Sequence, residues 1–238
     1  MPPFNPQIIR NFFSPGFGTE IIYSLVIIVC SLMIYFGTKE IYELSSYKGI
    51  KYFRQAFLFF AIAYFFRSFI KFILVYFSAN RILDISPRIF TPLLGQITLF
   101  LFMYFSSMAI FYLLYSVMWK KWNGNSKKIY FSHLFAFIIS LLIILSRNAL
   151  IYLGVNFLLF FIVLFIVFIS YKNTKKKTKG YKHDLYAIYL LLSFFWILNI
   201  IDILIPEFLQ TFQIFIYIAS LIIFLMMLYK VLKKVGST

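Results

Sequence analysis

Three cations interrupt the apolar run YFRQAFLFFAIAYFFRSFIKF, residues 52–72: Arg54, Arg67 and Lys71. Tyr64, Arg67 and Lys71 are spaced by three and four, so a helix brings them to one face. In the run DLYAIYLLLSFFWILNIID, residues 184–202, Asn199 and Asp202 share a face in the same way. Cations set against a carboxylate and an amide can hold a small polar solute or an ion, or can tie two helices together. A charge at the centre of a membrane-spanning helix costs about 2.5–3.5 kcal/mol on the insertion scale, so Asp202 is expected to pair with Arg67 or Lys71.

Gln96 and Asn156 each come about two turns in from the end of an apolar run, at a similar height. Together with Glu20, Arg147 and Glu207 nearer the rim, these residues are expected to form an outward-facing polar crevice. Arg67, Lys71, Asp202, Asn199, Gln96 and Asn156 are the candidate ligand-binding residues. The alternative is structural, because polar side chains also hold spanning helices together by interhelical hydrogen bonds.

No richer chemistry is written in the chain. His133 and His183 lack the Cys, Asp or Glu spacing of a metal site, so no metal or other cofactor is expected. Ser45 and Lys48 satisfy Ser-x-x-Lys without its companion motifs, and there is no Gly-rich phosphate loop or nucleophile elbow. An enzyme is not the expectation. Cys30 is the sole cysteine, which rules out an internal disulfide and points to a buried, inert thiol.

The elements that must position these residues are membrane helices. Of 238 residues 63% are apolar and only 13% charged, and the mean hydropathy is +0.91, outside the range of soluble domains. The chain divides into stretches of about 20 apolar residues, the length that crosses a hydrocarbon core. Seven helices are expected, at about Glu20–Gly37, Ile50–Phe77, Ile89–Trp119, Ile129–Ser146, Asn148–Tyr171, Asp184–Ile205 and Phe208–Tyr229. The break between the fourth and fifth rests on Arg147 and Asn148 alone, yet a single span from Ile129 to Tyr171 is far too long to cross once.

Orientation follows from the cations. With seven helices, one side of the membrane receives four of them, Arg10, Arg81, Arg88 and Arg147, and the other receives seventeen. Cytoplasmic loops are rich in Lys and Arg, so the N-terminus is expected outside and the C-terminus inside a cell membrane. Residues 1–19 then form an irregular outer tail, 20–229 the membrane domain and 230–238 a short basic inner tail. Residues 1–19 lack the features of a cleaved signal peptide. The net charge of +16 is a topology signal and does not call for nucleic acid. Arg54 joins an inner basic collar and is expected to snorkel to the headgroups. The inner run KNTKKKTKGYKH, with Lys172, Lys175, Lys176, Lys177, Lys179 and Lys182, suits anionic lipid or a cytoplasmic partner protein.

Several identities are excluded. A retinal protein needs a lysine inside helix seven, and FQIFIYIASLIIFLMMLY has none. A transporter or channel needs a polar path through both halves of the membrane, and the inner half offers little beyond Ser106, Ser107, Ser140 and Ser193. Three readings remain. The favoured one is a small seven-helix sensor or signalling module, and the alternatives are a small-solute or ion transporter and a structural subunit of a larger membrane complex. Oligomeric state is not written in the sequence.

Overall fold

The apolar runs fold into helices, and the described residues contain no strand. The computed structural model describes the backbone of residues 15–80, 87–122, 127–146, 148–175, 183–204 and 210–235, and the side chains of 18–69, 95–122, 128–146, 148–173, 186–204 and 212–233. The helices are α1 (Pro15–Gly37), α2 (Lys39–Ser45), α3 (Lys48–Asn80), α4 (Pro87–Met118), α5 (Lys127–Ser146), α6 (Ala149–Lys175), α7 (His183–Leu204) and α8 (Gln210–Val235).

Seven of these are long, and among the described residues six are also apolar enough to cross a membrane: α1 continued through α2, then α4, α5, α6, α7 and α8. At 33 residues α3 is the longest, about 50 Å, and its side chains past Phe69 lie outside the described residues. Two boundaries differ most from expectation. α1 starts at Pro15, inside the segment read as irregular tail, because proline's fixed φ suits the first turn of a helix. α8 runs past Tyr229 to Val235.

The short helix α2 is absent from the sequence reading. It follows α1 almost without a break, since Thr38 keeps its N–H on the Ile34 carbonyl at 3.1 Å. Ser46 ends it in the left-handed region, at φ 49°. The narrow break between α5 and α6 has a clear cause. Asn148 caps α6: its side-chain oxygen accepts the Leu150 N–H at 2.9 Å and its carbonyl accepts the first helical bond, from Tyr152, at 3.1 Å.

Helices α3, α1, α8, α7, α6 and α4 pack in that order as a closed ring, and α5 lies outside it against α4 and, more lightly, α6. α5 is pinned by His133, whose two ring nitrogens meet the hydroxyls of Tyr104 at 2.9 Å and Tyr112 at 3.4 Å on α4. The ring's centre is filled by Ile27, Phe57, Phe60, Met103, Leu159, Phe195 and Phe224, all fully buried. Its outer surface is just as apolar. Phe131, Leu145, Phe161, Phe168 and Phe215 are each at least 60% exposed, a distribution that only lipid accommodates. This is a membrane-embedded, all-helical protein in contact with lipid.

Between the helices the small polar residue is serine. Ser106, Ser116, Ser140 and Ser193 are buried and turn their hydroxyls back to carbonyls three or four residues earlier. Ser116 also meets the Tyr189 hydroxyl on α7 at 3.0 Å, whereas the buried hydroxyls of Ser24, Ser31 and Ser107 make no hydrogen bond among the described residues. Arg54 also has partners within the bundle. Its Nε donates to the Tyr35 carbonyl at 3.0 Å, and the guanidinium lies 4.8 Å from the Tyr35 ring centre. The last turn of α1 has carbonyls without helical partners, and Arg54 takes one of them.

Asn148→Ala is expected to cost about 1 kcal/mol and Asn148→Asp close to nothing, because only the alanine removes the capping oxygen. Unfolding in detergent micelles checks this. Equal losses in the two variants would mean that the cap does not set the α5–α6 break.

Candidate functional site

The polar residues converge at the end of the bundle where α1 begins and α3 and α7 finish. Arg67, late on α3, directs both Nε and Nη2 at Oε1 of Glu20 in the first turns of α1, each at 3.0 Å. Its Nη2 also lies 3.6 Å from Oδ2 of Asp202 on α7. All three side chains are largely buried, at 19%, 13% and 11% relative exposure. Asp202 is held from the other side by α8: Nε2 of Gln213 donates to its Oδ1 at 3.0 Å and to the Tyr217 hydroxyl at 2.9 Å.

A turn further into the membrane, tyrosines take over. The Tyr64 hydroxyl donates to Oδ1 of Asn199 at 3.0 Å and lies 3.4 Å from the Tyr23 hydroxyl. Tyr23 in turn stacks on Tyr217, ring centres 4.5 Å apart. The Arg67 guanidinium sits 5.4 Å from the Phe102 ring centre and 5.9 Å from that of Tyr64, within cation–π range.

Beside this network lies a cavity of about 410 Å³, between α3, α4, α6 and α7. Arg67 and Asp202 give it charge, Asn156, Asn199, Thr98 and Ser106 give it polar groups, and Phe60, Phe102, Tyr152 and Trp196 form its walls. Asn156 is buried and gives its Nδ2 to the Tyr152 carbonyl at 2.9 Å, while its own carbonyl accepts the Trp196 indole N–H at 3.2 Å. That last bond joins α6 to α7 at the height of the cavity.

Of the residues expected to form the crevice, Arg67, Asp202, Asn199 and Asn156 line this cavity. Gln96 does not. Gly95, Thr98, Leu99, Phe102 and Ser106 are the α4 residues that line it, a stripe at helical spacing, and Gln96 is about 100° around the helix from Gly95. The Lys71 side chain lies outside the described residues, as do Arg147 and Glu207. Of the basic run, Lys172 is exposed near the end of α6. The side chain of Lys175 and residues Lys176, Lys177, Lys179 and Lys182 fall outside the described residues. No group of three or more metal-ligating side chains occurs among the described residues.

Sequence reasoning set Glu20 at the rim and missed it as the nearer partner of Arg67. It missed Gln213, Tyr23, Tyr217, Tyr152 and Trp196 altogether. A depth count would have flagged Glu20 and Gln213, since both come early in helices that run opposite to α3 and α7. Nothing in the sequence marks the aromatic residues, because 23% of the chain is aromatic.

Over 220 residues the chain is 31% identical to an uncharacterized protein of Archaeoglobus fulgidus. It belongs to the family of that archaeal protein. The match takes in 91% of this chain and 92% of the other, so it spans the whole set of helices and not one hairpin. No family model and no solved structure matches the chain.

A double-mutant comparison distinguishes the two ion pairs. Glu20→Gln and Arg67→Gln are expected to couple more strongly than Asp202→Asn and Arg67→Gln, within the roughly 0.5–3 kcal/mol seen for neighbours in one network. Melting in nanodiscs measures both cycles. Additive losses in each would show that the ties contribute no mutual stability.

Proposed function

We propose that this protein is a seven-pass module of the cell membrane, N-terminus outside, which binds a small polar solute in its outer half and signals through its basic inner face. The observation that carries the reading is the cavity itself. It combines fixed charges, two amides and aromatic walls, the composition of a small-molecule site, and about 410 Å³ lies at the small end of such sites. One turn further in on α3, Phe57 is fully buried, as are Phe195 on α7 and Phe224 on α8. The Phe195 and Phe224 rings are in contact, 4.7 Å between centres.

That aromatic layer favours a binding module over a conduit. A channel or carrier needs polar groups beyond the cavity, and there Ser140 and Ser193 are committed to their own helices, while Ser116 divides its hydroxyl between its own helix and Tyr189 on α7. The seven-pass arrangement is supported by α3, whose late residues meet the start of α1 and whose early residues meet its end. The basic segment from Lys172 to Lys182 then lies inside, as a contact for anionic lipid headgroups or for a cytoplasmic signalling protein.

Gly95 provides a clean test, because a Cβ placed there meets nothing within 4 Å and leucine is a better helix former than glycine. Gly95→Leu adds bulk at the cavity without altering a charged residue. In nanodiscs, at least one member of a panel of small polar solutes is expected to raise the melting temperature of the wild type and not of Gly95→Leu. No shift with any solute would reduce the charges to a structural tie, and solute flux through vesicles bearing the purified protein would favour a transporter. In a Cys30→Ser background, Asn148→Cys is expected to react with a membrane-impermeant maleimide on intact cells and Ser45→Cys only after lysis. The reverse pattern would overturn the orientation.

A further inference from the structure

The two charges that face the cavity are anchored from behind by residues that do not line it. Glu20 on α1 holds Arg67 through two short contacts to one carboxylate oxygen, both at 3.0 Å. Gln213 on α8 holds Asp202 through its Oδ1 at 3.0 Å. The contact between Arg67 and Asp202 is the slack one, at 3.6 Å. Each group is thus kept in place without the other, and the bond they share is the one a ligand can replace.

We propose that the solute bound here is a zwitterion of amino-acid size, its carboxylate received by Arg67 and its ammonium by Asp202. The inference rests on the reading of the cavity as a binding site and adds the chemistry of what enters it. A guanidinium matches a carboxylate with parallel donors, and Oδ2 of Asp202 is an acceptor for an ammonium. The charge balance points the same way. Glu20 already pairs with Arg67, so a lone cation would engage Asp202 only and a lone anion would add a second negative group beside Glu20; either one displaces the Arg67–Asp202 contact and replaces half of it. A zwitterion replaces both halves and adds no net charge to the membrane interior.

The remaining walls suit the body of such a molecule. Phe60, Leu99, Phe102, Trp196 and Ile203 offer apolar surface for a side chain. A solute seated between Arg67 and Asp202 replaces a direct α3–α7 contact with a bridged one. Occupancy is thereby communicated to the two helices that carry the charges, and through Glu20 and Gln213 to α1 and α8.

The test uses the full chain in nanodiscs, titrated with L-alanine, L-leucine and L-phenylalanine, and for each with the amine that lacks the carboxylate and the acid that lacks the amine. At least one amino acid is expected to bind about tenfold or more tighter than both of its single-charge analogues, since each analogue replaces only half of the Arg67–Asp202 contact that it displaces. Asp202→Asn, which keeps the shape, is expected to weaken amino-acid binding and to erase the preference over the matching acid. An amine or acid that binds as tightly as its amino acid overturns the inference, and so does a preference unchanged in Asp202→Asn. If none of these probes binds but another polar solute raises the wild-type melting temperature and not that of Gly95→Leu, the zwitterion is wrong and the binding site stands. If nothing binds in either set, both fall.

Discussion

A guanidinium buried in a membrane bundle cannot stand alone, and one end of this protein is arranged around that constraint at Arg67. Its charge draws Glu20 from α1 and Asp202 from α7 to one height, and Asp202 in turn draws Gln213 from α8. Four helices are thereby set in register at one level. Buried ion pairs are poor sources of net stability, because desolvation offsets most of the attraction, but removing one partner strands the other. The network therefore specifies an arrangement more than it strengthens one.

The rest of the bundle is shaped by a solvent that offers no hydrogen bonds. Lipid accepts phenylalanine on the outside as readily as the core does inside, so apolar burial cannot distinguish the two faces of a helix. Small and polar residues make the distinction instead. Ser106, Ser140 and Ser193 turn their hydroxyls back on their own helices, and Asn156 receives Trp196 across the α6–α7 interface. α5 stays outside the ring, held by His133 between two tyrosines of α4.

A site that responds to a solute needs charges that stay in place yet are not fully satisfied by each other. The anchoring of Arg67 by Glu20 and of Asp202 by Gln213 meets both requirements, with the loosest contact between the two groups that face the cavity. The related Archaeoglobus fulgidus protein matches over nearly its whole length, so the comparison concerns the full set of helices that builds this arrangement.

Hydropathy, charge spacing and capping chemistry are local, and what depends on them was legible in the chain. They determined the membrane class, the long helices to within a few residues, the break at Asn148 and the shared face of Tyr64 and Arg67. Partnership was not legible, because it depends on how each helix is rotated and tilted against residues far away in sequence. Only the tertiary structure decided that Glu20 stands closer to Arg67 than Asp202 does, that Gln213 steadies Asp202 and that Arg54 serves the end of α1. Rotation likewise decided that Gly95 lines the cavity while Gln96, one residue on, does not. A helix carries its face in its sequence, but the neighbour that the face meets is chosen by the packing of the whole bundle.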